Sequence, residues 1–178
     1  MRLERITSYK MTETERLILQ PLTYDQLVKY ARNDNSLDKE FNLNTTNRTI
    51  SVDLKEALEE TILPNVADKN KNYLFSTLWT AILKSEKIMV GDLCFIGEPN
   101  EKGEVEIGYG TYDAFQKKGY MTEALGGMIQ WAKKQPDINS IVAATEKSNI
   151  ASSVVLQKNN FTKFDETETL YHWRLKLK

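Results

Sequence analysis

The chain is poor in the two residue types that most often build metal centres and covalent cross-links. Its 178 residues hold one cysteine, Cys94, and one histidine, His172. A single cysteine makes no internal disulfide, and the pair lacks the spacing of a zinc set, so neither a structural metal nor a catalytic one is expected. Net charge is nearly absent as well, at -1. A chain so close to neutral supplies no field for holding a phosphate polymer, which argues against nucleic acid as a ligand. Long apolar runs are missing, and the opening "MRLERITSYKMTETERL" is broken by charge too often for a signal peptide. These absences predict a cytoplasmic protein with no membrane partner, and leave monomer and homodimer both open.

Hydrophobic residues make up 40% of the chain, enough at this length for a real core. No repeat, linker or low-complexity tract divides it, so one domain over 1–178 is expected. "ERLILQ" reads as a strand ending at Pro21, followed by a helix with Thr23 and Gln26 at capping-box spacing and Leu22 and Leu27 placed for a hydrophobic staple. A second helix is predicted from Ser51 to Leu63, with Leu54, Ala57, Leu58, Thr61 and Ile62 on its apolar face and Pro64 ending it. From Tyr73 the pattern turns to strands: "YLFSTLWTAILK", "KIMVGDLCFIG" and "GEVEIGYGTY" read as an antiparallel meander. A helix after Gly119 carries Met121, Leu125, Met128 and Ala132 on one stripe and stops near Pro136. "SIVAAT" reads as a buried strand, "NIASSVVLQKNN" as a helix, and "FTKF" and "ETLYHWRLKL" as closing strands. Trp79, Trp131, Tyr73 and Tyr171 are expected in the core, and Cys94 as a small buried hydrophobe.

The stretch "AFQKKGYMTEALGG" carries the chemistry. A helix N-terminus leaves backbone N–H groups unpartnered and presents the positive end of the peptide dipoles. Gly119 allows close approach of a ligand to the backbone. A turn over Gln116, Lys117, Lys118, Gly119, Tyr120 and Met121, running into Thr122, can therefore converge amides on a pyrophosphate while the lysines add charge. The letters fit neither the ATP loop, which needs lysine and a hydroxyl residue after its last glycine, nor the three-glycine dinucleotide fingerprint.

"GEVEIGYGTYDAFQKKGYMTEAL", followed by "IVAATEKSNIASSVVLQKNNF", resembles the GNAT superfamily of acetyl-CoA-dependent N-acetyltransferases. The likeness is to its ribosomal-protein alanine and serine N-terminal acetyltransferase branch. The family's loop pattern appears as Gln116, Lys117, Lys118, Gly119, Tyr120 and Met121, with Met121 in place of glycine or alanine at a position where only backbone is needed. The branch's downstream pattern is met by Asn149, Ala151, Ser152, Val155, Leu156, Lys158 and Phe161. Asn160 replaces its glycine, and asparagine is the next best residue at a left-handed helix end. The resemblance implies an α/β fold: one domain with a mixed, mostly antiparallel sheet flanked by helices, splayed after "IGYGTY" to admit the cosubstrate acetyl-CoA.

It also implies that the pantetheine arm lies along the backbone of Tyr109, Gly110 and Thr111, a placement that Gly108 and Gly110 support, because glycine within a strand often marks close ligand approach. Glu106, mid-strand, is the expected base, with Tyr109 and His172 as lesser candidates; Glu104 borders a turn and is expected to be wet. Where relatives outside the branch carry a proton-donating tyrosine, this chain has Leu156. The branch resemblance points to Ser152 for that task. Asn149 is expected to cap its helix, bind the pantetheine amide, or both. The acceptor is a primary amine, of a protein N-terminus or of a small molecule, entering across the N-terminal helices and the turn near Leu63 to Asn72. A CoA-binding module without catalysis is the alternative that Leu156 leaves open.

Overall fold

A computed structural model describes residues 11–178; most of the charged opening stretch, residues 1–10, lies outside the described residues. Eight strands form one sheet: β1 (Thr12–Glu13), β2 (Leu17–Pro21), β3 (Leu78–Leu83), β4 (Ile88–Phe95), β5 (Glu104–Thr111), β6 (Ser140–Glu146), β7 (Thr162–Glu166) and β8 (Leu170–Lys176). Their order is β1-β2-β3-β4-β5-β6-β8-β7, and every pair is antiparallel except β5 with β6. This is the mixed α/β sheet that the sequence predicts.

On one face lie α5 (Tyr120–Lys133) and α6 (Ile150–Lys158), whose apolar residues join the larger core cluster. Met121, Leu125, Met128 and Ala132 are all buried there, as their spacing requires. Trp131 sits at the centre of an aromatic group, with ring centroids 5.1 Å from Trp79 and 5.5 Å from both Phe75 and Phe95.

The opposite face of β2, β3 and β4 is covered by α1 (Tyr24–Arg32), α2 (Ser36–Glu40), α3 (Val52–Ala57) and α4 (Leu63–Ala67), around a second apolar cluster. Thr23 and Gln26 close the capping box on α1, and Leu22 and Leu27 are fully buried beside it.

The helix predicted from Ser51 to Leu63 does not end at Pro64. It runs on to Ala67, because a π-helical segment, Leu58–Ile62, lies just before the proline; the Leu63 N–H donates to the Leu58 carbonyl, five residues back. Pro64 then falls in the first turn of α4, where its missing N–H costs nothing. The widened turn also rotates Thr61 out of the apolar stripe into solvent. "SIVAAT" departs from expectation too: β6 buries alternate residues, because helices pack on only one of its faces.

Trp131→Ala should remove the hub of the aromatic group and destabilise the fold by about 3–5 kcal/mol. Urea unfolding followed by far-UV circular dichroism measures this, and a loss below ~1 kcal/mol would mean that the group does not anchor α5 to the sheet.

Candidate active site

β5 has two partners, and it takes them at different ends. It pairs with β6 only through Glu104, Val105 and Glu106, and with β4 from Ile107 to Thr111. The sheet therefore forks at Glu106, whereas the sequence placed the splay after "IGYGTY", that is, after Tyr112. The Ile96 N–H donates to Glu106 and the Tyr112 N–H to Val90, so residues 106, 108, 110 and 112 turn their backbone groups to β4. Those of Ile107, Tyr109 and Thr111 consequently face the opening between β5 and β6. Of the three residues expected to meet a pantetheine arm, Tyr109 and Thr111 present backbone to the gap, while Gly110 spends its own on β4.

At the far end of the fork, Asp113–Phe115 form a 3-10 turn and the chain doubles back into α5. Gly119, at φ +77°, is the N-cap in the left-handed region, and Lys117 joins it at φ +61°. Two left-handed residues around Lys118 fold the backbone into a concave turn. Among the described residues, none of the six amides from Lys117 to Thr122 donates to another group. The Met121 side chain points into the core, so that position offers only its backbone, as the sequence predicts.

Arg16 closes this corner, and sequence reasoning missed it. Its guanidinium bonds Glu123 at 2.6 Å and the Lys118 carbonyl at 3.1 Å, and stacks on the Tyr120 ring. Burial works to raise the Glu123 carboxyl, but the bonds from Thr14 and Arg16 outweigh it and hold it below its ordinary value.

Across the gap stands the start of α6. Asn149 caps it, accepting from the Ser152 N–H at 3.0 Å. The Tyr109 hydroxyl donates to the Ser152 carbonyl and accepts from the Ser152 hydroxyl, both at 3.0 Å. Two residues singled out from sequence are thus in contact. Burial pushes the Tyr109 phenol up to about 12, so at neutral pH it is a proton donor and not a base. Leu156 is fully buried in the core.

Glu106 is half-buried at the fork, on the face opposite Val105 and Ile107, and makes no ion pair or side-chain hydrogen bond among the described residues. Glu104 is not wet: it accepts from Arg174 at 2.9 Å and from Ser140 at 3.2 Å. His172, on β8, packs against Phe164 of β7, which fits a packing role.

On the α1–α4 face, a cavity of about 650 Å³ runs along β5 past Gly108 and Gly110 and is walled by Asn47, Thr49, Ser51 and Leu54. It does not involve the turn from Leu63 to Asn72. At its floor is Asp92, which accepts from the Tyr30 hydroxyl at 2.6 Å and the Tyr112 hydroxyl at 2.7 Å. Burial raises the Asp92 carboxyl above its ordinary value against both of these bonds. Cys94 lines the same cavity with its thiol pushed up to about 11 by burial, as expected of an inert small residue. The sequence signal for Asp92 was a lone acid inside "MVGDLCF", a strand buried along most of its length.

A forked sheet with an amide-lined turn and helix start at its far end is the architecture of a known family. The family model of the acetyltransferase (GNAT) domain matches residues 16–162. The chain belongs to this GNAT family. It is 29% identical over 163 residues to the uncharacterized N-acetyltransferase YjdG of Bacillus subtilis (strain 168), covering 92% of this chain and 96% of YjdG. Its fold matches the ribosomal-protein-S5-alanine acetyltransferase of Vibrio fischeri, with TM-score 0.66, 18% identity and coverage of 93% and 96%. It also matches RimL, a ribosomal L7/L12 α-N-protein acetyltransferase solved with coenzyme A, with TM-score 0.63, 16% identity and coverage of 92% and 95%. As a GNAT enzyme, the chain is an acetyl-CoA-dependent N-acetyltransferase.

The unpartnered amides of Lys117 to Thr122 fit the pyrophosphate of this cosubstrate. A Cβ on Gly119 would meet only Arg16, at 3.5 Å, so the damage from Gly119→Val comes from forcing a β-branched residue into left-handed backbone. That variant should lose CoA binding at least tenfold, whereas Lys117→Ala and Lys118→Ala should each weaken it no more than about fivefold, since both side chains are exposed. Calorimetry giving the reverse order would make the loop a charged patch and not a backbone cradle.

Proposed function

We propose that the enzyme moves the acetyl group of acetyl-CoA to the N-terminal amine of a polypeptide, by direct attack in a ternary complex. The observation that carries this reading is the fork at Glu106, which joins the amide-lined turn on one side of the sheet to the cavity on the other. The pyrophosphate rests on the amides of residues 117–122, with Lys117 and Lys118 adding charge, and the pantetheine arm runs down the gap along Tyr109 and Thr111. Asn149 holds the start of α6 against the arm.

The acceptor nitrogen attacks the thioester carbonyl, forming the C–N bond. As the tetrahedral carbon collapses, the C–S bond breaks, the nitrogen's proton passes to Glu106, and the Ser152 hydroxyl, turning from Tyr109 to the sulfur, gives its proton to the thiolate and is reprotonated by water. Tyr109 orients that hydroxyl. A thiolate leaves readily, so this donor contributes less than the base.

Two features support a polypeptide acceptor over a small amine. The downstream motif from Asn149 to Phe161 is that of the N-terminal acetyltransferase branch. Among the described residues, the second apolar cluster under α1–α4 takes in no residue of β6, β7 or β8, and two large apolar side chains stay exposed: Phe164 on β7 and, just past the end of β4 beside Gly108, Ile96. An extended chain can lie there while its end enters the cavity.

Peptides with free N-terminal alanine or serine should release thiol from acetyl-CoA with kcat/KM at least tenfold above that of polyamines or free amino acids. Activity confined to small amines would replace this reading.

A further inference from the structure

The Lys118–Gly119 peptide group lies in the middle of the turn before α5, and its orientation decides what the turn offers to an anion. The bond is trans, so the Lys118 carbonyl and the Gly119 N–H point in opposite directions. Turning this group over would aim a carbonyl oxygen where the N–H now points. Glycine does not resist such a flip: a half-turn carries the Gly119 φ from +77° to roughly −100°, and both values are open to it. A turn that meets phosphate therefore needs an outside hold on the Lys118 carbonyl.

Arg16 supplies that hold. Its Nη1 donates to the Lys118 carbonyl at 3.1 Å, and its Nη2 lies 3.5 Å from the point where a Cβ on Gly119 would stand. The guanidinium thus covers one side of the peptide group and leaves the Gly119 N–H directed away from it. Arg16 is in turn fixed from several directions. Its main-chain N–H donates to Glu123 at 2.7 Å, its carbonyl accepts from the Lys84 N–H at 3.0 Å, and its Nε donates to Glu123 at 2.6 Å. The Tyr120 ring lies 4.8 Å from the guanidinium carbon, and Glu123 also accepts from the Thr14 hydroxyl at 2.6 Å. One carboxylate in the first turn of α5 therefore ties the β1–β2 turn to the backbone that precedes the helix.

The same ion pair limits Arg16 as a source of charge. Glu123 neutralises it at 2.6 Å, whereas Lys117 and Lys118 are exposed.

Resting on the reading of residues 117–122 as the pyrophosphate seat, we propose that Arg16 is a positioning residue for acetyl-CoA. By holding the Lys118 carbonyl outward it keeps the Gly119 N–H aimed at the phosphates. It acts as a two-pronged hydrogen-bond donor, one prong on Glu123 and one on the carbonyl, and not as a free cation. Lysine has a single ammonium and cannot reproduce that fork.

The test is calorimetry with CoA at about 50 mM and about 500 mM NaCl, a range over which exposed charges become screened. Arg16→Ala should weaken binding at least tenfold, and its ratio to wild type should hold within twofold between the two salts. The smaller loss in Lys118→Ala should shrink toward none at high salt. Arg16→Lys keeps a cation beside Glu123 and serves if Arg16→Ala fails to fold; it should still lose at least fivefold. In 15N-labelled protein saturated with CoA, the downfield proton shift of the Gly119 amide should fall by at least half in Arg16→Lys. A side chain that only stabilised the fold would leave that shift in place. The proposal is overturned if Arg16→Lys binds CoA as wild type does, if the Arg16→Ala loss fades with salt as that of Lys118→Ala does, or if the Gly119 shift is unchanged. Gly119→Val binding CoA as wild type does would instead overturn the parent reading of the turn.

Discussion

β5 cannot satisfy both neighbours along its whole length, and the rest of the molecule follows from how it divides itself. Its beginning is pinned to β6: the amides of Asn139 and Ser140 both donate to the Gly103 carbonyl, and the Asn139 side chain donates to Lys102. Its remainder is held by β4. Because the β5–β6 pair is parallel, the chain must cross over between them, and α5 makes that crossing. The same crossover places the N-terminus of α5 at the open end of the fork, and the return after β6 brings the N-terminus of α6 to the other side. Backbone groups unpaired by the fork, by the turn and by the helix start thus collect in one place. None of this needs an unusual side chain, and Met121, with its side chain in the core, leaves only its backbone to the turn.

The two faces of the sheet are chemically unlike. Beneath α5 and α6 the core is aliphatic and aromatic, with Trp131 as its hub, and its buried Thr145 is paired with Trp173 and Ser153. Beneath α1–α4 it contains Asp38, Arg48, Thr80 and Asp92 as well. Burying such groups costs stability unless they pair fully, and several of their atoms do not. That polar chemistry lies on the side of the sheet that carries the cavity. The α5 side, which has only to hold a rigid helix start, stays apolar.

Much of the fold was legible because its signals are local. The capping box at Thr23 and Gln26, the stripe through Met121 and Leu125, and Asn160 at φ +63° are each set by a few neighbouring residues. The turn before α5 was legible for the same reason. The continuation of the helix past Pro64 was not, since a π-helical turn leaves no mark in residue type. Asp92, Tyr30, Tyr112 and Arg48 come from four separate stretches and meet only through pairing and packing, so no spacing rule could join them. The mistaken exposure of Glu104 has a similar cause: its partner Arg174 is on the last strand.

The central claim is that the fork between β5 and β6 receives the cosubstrate's arm, and residue-resolved amide hydrogen exchange with and without acetyl-CoA tests it most directly. The amides of Tyr109, Thr111 and residues 117–122 should exchange several-fold more slowly in the complex, while those of Gly108 and Gly110, already turned to β4, should not change. Protection absent from the 117–122 turn, or equal along all of β5, would contradict the account.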